Sequence, residues 1–189
     1  MEMKSNMKGR SFISIHDFTA DEINYILEIG KQLKTMQKRG VSHRYLAGKT
    51  LGMIFQKSST RTRVAFEVGM YQLGGHALFL NPRDIQLGRG ETIKDTARVL
   101  GRMLDGIMIR TFDHEEVVEL AEWSGIPVIN GLTDLLHPTQ VIGDLMTIQE
   151  NKGRIKGLKL AYIGDGNNMA HSLLFGGAKT GMDVVIAAP

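Results

Sequence analysis

No cysteine occurs among the 189 residues, which excludes disulfides, thiolate zinc sites and a cysteine nucleophile from this stretch. Aromatic residues make up 6% and lie scattered, too sparse for a surface that stacks bases. Basic and acidic residues nearly balance, 23 against 20, and no Lys/Arg block is long enough for a nucleic-acid arm. No apolar run approaches the length of a membrane span, and Met1–Arg10 carries no signal-peptide pattern. Neither nucleic acid nor a membrane is therefore an expected partner, and the cytoplasm is the expected location. What is present is ordinary for a globular protein, with 42% hydrophobic and 23% charged residues. The length accommodates one domain and a piece of another.

Local signals divide the chain. Thr19-Ala-Asp-Glu22 is a capping box, followed at helical spacing by Ile23, Ile26, Leu27 and Leu33. Lys38, Arg39 and Gly40 supply the matching stop. Strands are predicted near Thr50–Phe55, His76–Leu80, Gly106–Ile109 and Pro127–Ile129. Helices are predicted at Arg63–Leu73, Thr92–Leu104, His114–Ser124 and Thr139–Glu150. Gly74-Gly75, Gly125-Ile-Pro127 and Asn130-Gly131 punctuate them. This alternation predicts an α/β fold, a mostly parallel sheet flanked by helices, over residues 1–150. Asn151–Gly157 reads as a polar junction. Beyond it a strand at Leu158–Ile163, a helix at Met169–Lys179 and a strand at Val184–Ala187 open a second α/β domain over 151–189. One βαβ unit cannot cover both faces of a parallel sheet, so that domain is expected to be incomplete.

Chemistry concentrates at predicted strand ends. Ser58-Ser-Thr-Arg-Thr-Arg63 packs four hydroxyls and two guanidiniums into six residues between a strand and a helix. A helix N-terminus already favours an anion through its free amides and dipole, and arginine adds a two-pronged donor suited to phosphate. The same residues would serve equally as a plain N-cap followed by solvated charge. Arg110 follows the strand at Gly106–Ile109, and His137-Pro-Thr-Gln140 follows the strand near Ile129. In a parallel sheet all three segments reach the carboxyl edge, where α/β proteins bind ligands. The polar, Gly-rich loop Asn81–Glu91 offers Gln86 and Arg89 as ligand-reaching side chains, or is a surface excursion. Gly164-Asp-Gly-Asn-Asn168 starts like a dinucleotide fingerprint, but Met169 stands at the third glycine position. It reads as a turn presenting Asn167 and Asn168, either as caps or toward a substrate.

Phe55–Arg63 with Phe66-Glu67 resembles the carbamoyl-phosphate motif of the aspartate/ornithine carbamoyltransferase family. Gly90–Arg102, Arg110 and His137–Gln140 are similar to further family motifs, in family order over nearly the whole chain. Within the family, Asp95–Arg102 and Gly164–Met169 are most similar to ornithine carbamoyltransferases. Putrescine carbamoyltransferases share much of the first domain but usually lack the double Asn.

The resemblance implies a carbamoyl-phosphate-binding domain over 1–150 and the beginning of a Rossmann-like ornithine-binding domain over 151–189. Ser59, Thr60, Arg61 and Thr62 would hold the phosphate. Arg110, His137 and Thr62 would act catalytically by polarising the carbamoyl oxygen. Gln140 would bind the carbamoyl NH₂, Gln86 would reach a neighbouring subunit's site in a homotrimer or an assembly of trimers, and Asn168 would contact ornithine. The implied reaction carries the carbamoyl group to the δ-amine of L-ornithine, giving L-citrulline and phosphate, within arginine metabolism and amino-acid biosynthesis. No metal or organic cofactor is implied. The family's later motifs, an Asp with a Ser-Met pair and a His-Cys-Leu-Pro segment, are not in this chain, so either the native protein continues past Pro189 or this is a fragment with half its active site missing. Transfer to putrescine or another amine, or a non-catalytic subunit that binds a phosphorylated metabolite, are the competing readings.

Overall fold

The computed structural model describes residues 7–87 and 90–189. Arg89 lies outside them. Among the described residues, no helix is long and apolar enough to cross a membrane.

The first helix, α1 (Ala20–Lys38), is capped as its sequence predicts. The Glu22 amide donates to Thr19 Oγ1 at 3.2 Å, and the Thr19 amide donates to Glu22 Oε2 at 2.8 Å. Four parallel strands follow, β1 (Thr50–Phe55), β2 (His76–Leu80), β3 (Gly106–Arg110) and β4 (Val128–Leu132), in the spatial order β2-β1-β3-β4. Helix α2 (Thr60–Gln72) connects β1 to β2, α3 (Ile93–Gly101) connects β2 to β3, and α4 (His114–Ser124) connects β3 to β4.

The alternation of side chains along a strand sends residues to two separate cores. Leu51, Met53, Phe55 and Met108 pack with Met70 of α2. Ile54, Ile107, Ile109 and Val128 pack on the opposite face with Ala97 of α3 and Val117 and Leu120 of α4. The connections leaving neighbouring strands β1 and β3 therefore run to opposite faces. Such a reversal opens a crevice at the strands' carboxyl ends, the place where open α/β sheets bind ligands.

After β4, α5 (Pro138–Lys152) leads to a separate two-stranded parallel sheet of β5 (Lys159–Ile163) and β6 (Asp183–Ala187), joined by α6 (Asn168–Thr180). A third core ties α1, α5 and α6 together through Ile23, Leu27, Val141, Leu145 and Leu173.

Most boundaries fall within two residues of the local reading, and three differ by three residues. The second helix begins at Thr60 rather than Arg63, because Ser59 caps it and draws Thr60, Arg61 and Thr62 into the first turn. Helix α3 ends at Gly101, with Thr92 outside it as N-cap. Strand β4 passes straight through Asn130-Gly131, which read as a turn. The reason is tertiary: the Phe12 amide donates to Val128 O and the Asn130 amide to Phe12 O, pairing the N-terminal segment along β4. Opposite, the β3 register slips so that Ile109 faces Asn130 and Arg110 faces Leu132. Gly131 absorbs the extra residue, where a Cβ would press on Met108 Sδ at 2.6 Å.

Candidate active site

Helix α2 opens the site. Ser59 Oγ accepts from the Thr62 amide at 3.3 Å and donates to Thr62 Oγ1 at 3.0 Å. The amides of Thr60 and Arg61, in the first turn, have no partner inside the helix and remain for an anion. Thr60 and Arg61 are exposed, while Ser59 and Thr62 are half-buried. Phe55, Gln56, Ser59, Thr60, Asn81 and Arg83 are among the walls of an open cleft of ≈ 430 Å³ beside this turn.

Arg63 belongs to a different local structure. Its Nε donates to Glu67 Oε1 at 2.9 Å, and its guanidinium lies 3.7 Å from the Phe79 ring centroid. The pair that remains uncommitted is Arg61 and Arg110: among the described residues, no carboxylate lies within ion-pair distance of either.

Arg110 is the last residue of β3, on the face shared with Met108 and α2. Its carbonyl accepts from the Gln56 amide at 2.9 Å and the Lys57 amide at 3.3 Å, which fastens its backbone to the end of β1. Its Nε is buried with no hydrogen-bond partner. Burial, reinforced by the nearby positive charge of Arg61, holds its pKa below the usual arginine value. A partly buried cation with a second positive charge nearby and no acidic partner is an arrangement that favours an anion.

His137 is the N-cap of α5, with Pro138 as the first helical residue. Burial, then the charge of Arg110, pushes its pKa down to about 4. The imidazole is therefore neutral near pH 7 and carries one N–H. Thr139 Oγ1 lies 3.5 Å from Nδ1. Gln140, one turn into α5, is exposed and donates its amide nitrogen to Asp144 Oδ1 at 2.9 Å, which leaves its carbonyl oxygen to accept.

Two expected residues stand apart. Gln86 is exposed on the 81–91 loop, and among the described residues no hydrogen bond ties it to the strand-end cluster. Asn168 is the first residue of α6, and its Nδ2 donates to Thr133 O at 2.7 Å, on the segment leading to His137. Asn167, not Asn168, caps α6: its Oδ1 accepts from the Met169 amide at 3.0 Å.

The structure adds Glu116, which no motif marks. Its Oε2 accepts from Gln56 Nε2 at 2.7 Å and from Thr111 Oγ1, so one carboxylate in the first turn of α4 binds the residues following β1 and β3. Only its position six residues after Arg110, at the start of a helix, could have signalled this.

Known proteins show the same arrangement of sequence and fold. The family model for the aspartate/ornithine carbamoyltransferase carbamoyl-P binding domain matches residues 10–150, and that for the Asp/Orn binding domain matches residues 156–189. An ornithine carbamoyltransferase of Oceanobacillus iheyensis is 61% identical over 186 residues, covering 98% of this chain and 58% of the relative. Another, of Symbiobacterium thermophilum, is 62% identical over 185 residues, covering 98% and 60%. The solved ornithine carbamoyltransferase of Pyrococcus furiosus superposes with a TM-score of 0.95 at 59% identity, over 97% of this chain and 58% of that one. The chain thus spans somewhat over half the length of these relatives. With both family models matching in order along nearly its whole length, the chain belongs to the aspartate/ornithine carbamoyltransferase family.

Proposed function

We propose that this chain carries the carbamoyl-phosphate half of an ornithine carbamoyltransferase, with residues 1–150 as that domain and 151–189 opening the ornithine domain. The observation that carries the reading is Arg61 in the first turn of α2 with Arg110 nearby at the end of β3, without a carboxylate and with Arg110 Nε unsatisfied. A phosphate dianion supplies the missing charge and acceptors. The amides of Thr60 and Arg61 and the Arg61 fork hold its oxygens, with the hydroxyls of Ser59, Thr60 and Thr62 completing the cradle.

The carbamoyl oxygen then meets donors from Arg110, Thr62 and the N–H of neutral His137, while the Gln140 carbonyl accepts from the carbamoyl NH₂. A neutral imidazole donates to a carbonyl oxygen without a proton changing hands beforehand, and its donation strengthens as negative charge grows there. The neutral δ-amine of L-ornithine attacks the carbamoyl carbon, its nitrogen lone pair forming the new C–N bond. The tetrahedral adduct collapses by breaking the bond to the phosphate oxygen, the amine loses a proton, and L-citrulline and phosphate remain. Orientation and charge stabilisation suffice, because phosphate is already a good leaving group.

Asn168 contacts the amino-acid end of ornithine in this reading. The names of the matching relatives support ornithine over putrescine as acceptor. A cytoplasmic homotrimer, or an assembly of trimers, is the proposed working form, with Gln86 reaching a neighbouring subunit. The exposed row Val64, Val68 and Tyr71 along α2 supports an assembly through this side.

Calorimetric titration with carbamoyl phosphate, against inorganic phosphate and ATP, tests the cradle. The expected result is binding tighter than phosphate and no ATP signal, with Arg61→Ala abolishing most of the affinity. An Arg61→Ala affinity within about threefold of the parent would defeat the phosphate assignment, since a charge-assisted fork is worth more than that.

A further inference from the structure

His137 lies on a segment, Thr133–His137, whose backbone is only half satisfied from within. The Thr133 amide donates to Leu136 O at 2.8 Å, and the Leu136 amide to Thr133 Oγ1 at 3.0 Å. Among the groups left over are the Thr133 and Leu135 carbonyls and the His137 amide. One face of α6 takes all three. Asn168 Nδ2 donates to Thr133 O at 2.7 Å, His171 Nδ1 donates to Leu135 O at 2.9 Å, and the His137 amide donates to Ser172 Oγ at 2.8 Å. Residues 168, 171 and 172 are spaced i, i+3, i+4, which places them on one side of a helix.

The contact at Ser172 differs in kind from the other two. Ser172 is 1% exposed, so no water replaces its hydroxyl if it is lost. The His137 amide belongs to an N-cap residue with no side-chain cap of its own, and Gln140, the residue of α5 placed to reach back to that amide, is engaged with Asp144 instead. Behind Ser172, α6 lies close against α5: a Cβ on Gly176 would meet Val141 Cγ1 at 2.6 Å. The hydroxyl is therefore mounted on a helix that is packed against the very element it orients.

We propose that Ser172, from the β5–α6–β6 unit, is a positioning residue for His137, fixing its backbone so that the imidazole N–H meets the carbonyl-type oxygen of the ligand bound at the α2 N-terminus. This rests on the carbamoyl-phosphate reading given above. A donor must lie within hydrogen-bond reach of that oxygen, and displacements of about 1 Å cost up to about a hundredfold. The phosphate cradle of Ser59–Thr62 is built on α2 and does not depend on Ser172.

That separation supplies the test. Calorimetry on the parent chain, Ser172→Ala and Ser172→Thr measures affinity for carbamoyl phosphate and for inorganic phosphate, while NMR follows His137 amide exchange and imidazole shifts. In folded Ser172→Ala, carbamoyl phosphate should weaken about tenfold with phosphate held within about twofold, and the His137 amide should exchange at least about tenfold faster. Ser172→Thr, which keeps the hydroxyl, should restore both. Unchanged carbamoyl-phosphate affinity in Ser172→Ala overturns the proposal, and so does parallel weakening of both ligands, which marks a merely structural serine. A parent chain with no preference for carbamoyl phosphate over phosphate defeats the functional reading instead. The NMR arm then decides the proposal alone: unchanged exchange and shifts in Ser172→Ala overturn it, and changed ones support it.

Discussion

Acidification should destabilise this fold through His137, by an amount that the site's geometry sets. In the folded chain burial and Arg110 lower its pKa from the ordinary 6.5 to about 4. Between those values the unfolded chain binds a proton that the folded chain refuses, so stability rises with pH across that window. The contribution is intact above about pH 6.5 and is lost as pH falls toward about 4. The gap corresponds to at most about 3.4 kcal/mol, and partial exposure of the ring screens it to roughly 1.5–2 kcal/mol. His114 is also depressed, chiefly by burial, against the opposing pull of Glu115, Asp17 and Asp113, so the parent chain alone reports a composite. Urea unfolding of the parent and of His137→Gln, run at several values between about pH 7 and about pH 4.5, isolates the term, because the variant keeps every other titrating group. The stability difference between the two should shrink by roughly 1.5 kcal/mol or more in the parent's disfavour on acidification. A difference that stays flat, or that moves in the parent's favour, would refute a neutral, buried His137.

Two further substitutions probe the scaffold under the site. A Cβ on Gly101 would coincide with the Ser124 carbonyl oxygen, a backbone atom that cannot swing aside, so Gly101→Ala must part α3 from α4. Thermal or urea unfolding should show a loss of about 3 kcal/mol, the upper range for overpacking, and a loss below about 1 kcal/mol would contradict that close approach. Removing the Glu116 carboxylate strands Gln56 Nε2 and Thr111 Oγ1 beside Arg110. Glu116→Ala should cost about 1.5–3 kcal/mol and Glu116→Gln less, a ranking that the same unfolding curves verify.

Much of the scaffold was legible because its signals are local. A capping box needs four consecutive residues, and Thr19–Glu22 forms as written. Short apolar runs bounded by turn signals predict strands, and β1 to β3 lie within a residue of where those runs put them. The placement of the candidate cradle residues was legible for the same reason: Ser59 caps its own helix, so Thr60, Arg61 and Thr62 reach a helix end whatever else the chain does.

What distant segments do to one another was not legible. Arg61 and Arg63 are equals in sequence, yet Glu67 and the Phe79 ring engage Arg63 while Arg61 stays free and its charge acts on Arg110 at the end of β3. Asn130-Gly131 carries a turn signature, and only the pairing of Phe12 alongside keeps it extended. Glu116 and Ser172 match no motif, and each reaches a partner that the fold brings in, Gln56 from 60 residues away and His137 from 35. Sequence by itself determined most of the elements and the helix-end position of Ser59–Thr62, whose physics acts within one turn of chain. The tertiary structure decided which arginines remain unpaired and what holds the histidine, because desolvation and hydrogen bonding between remote segments exist only once the sheet and its helices have packed.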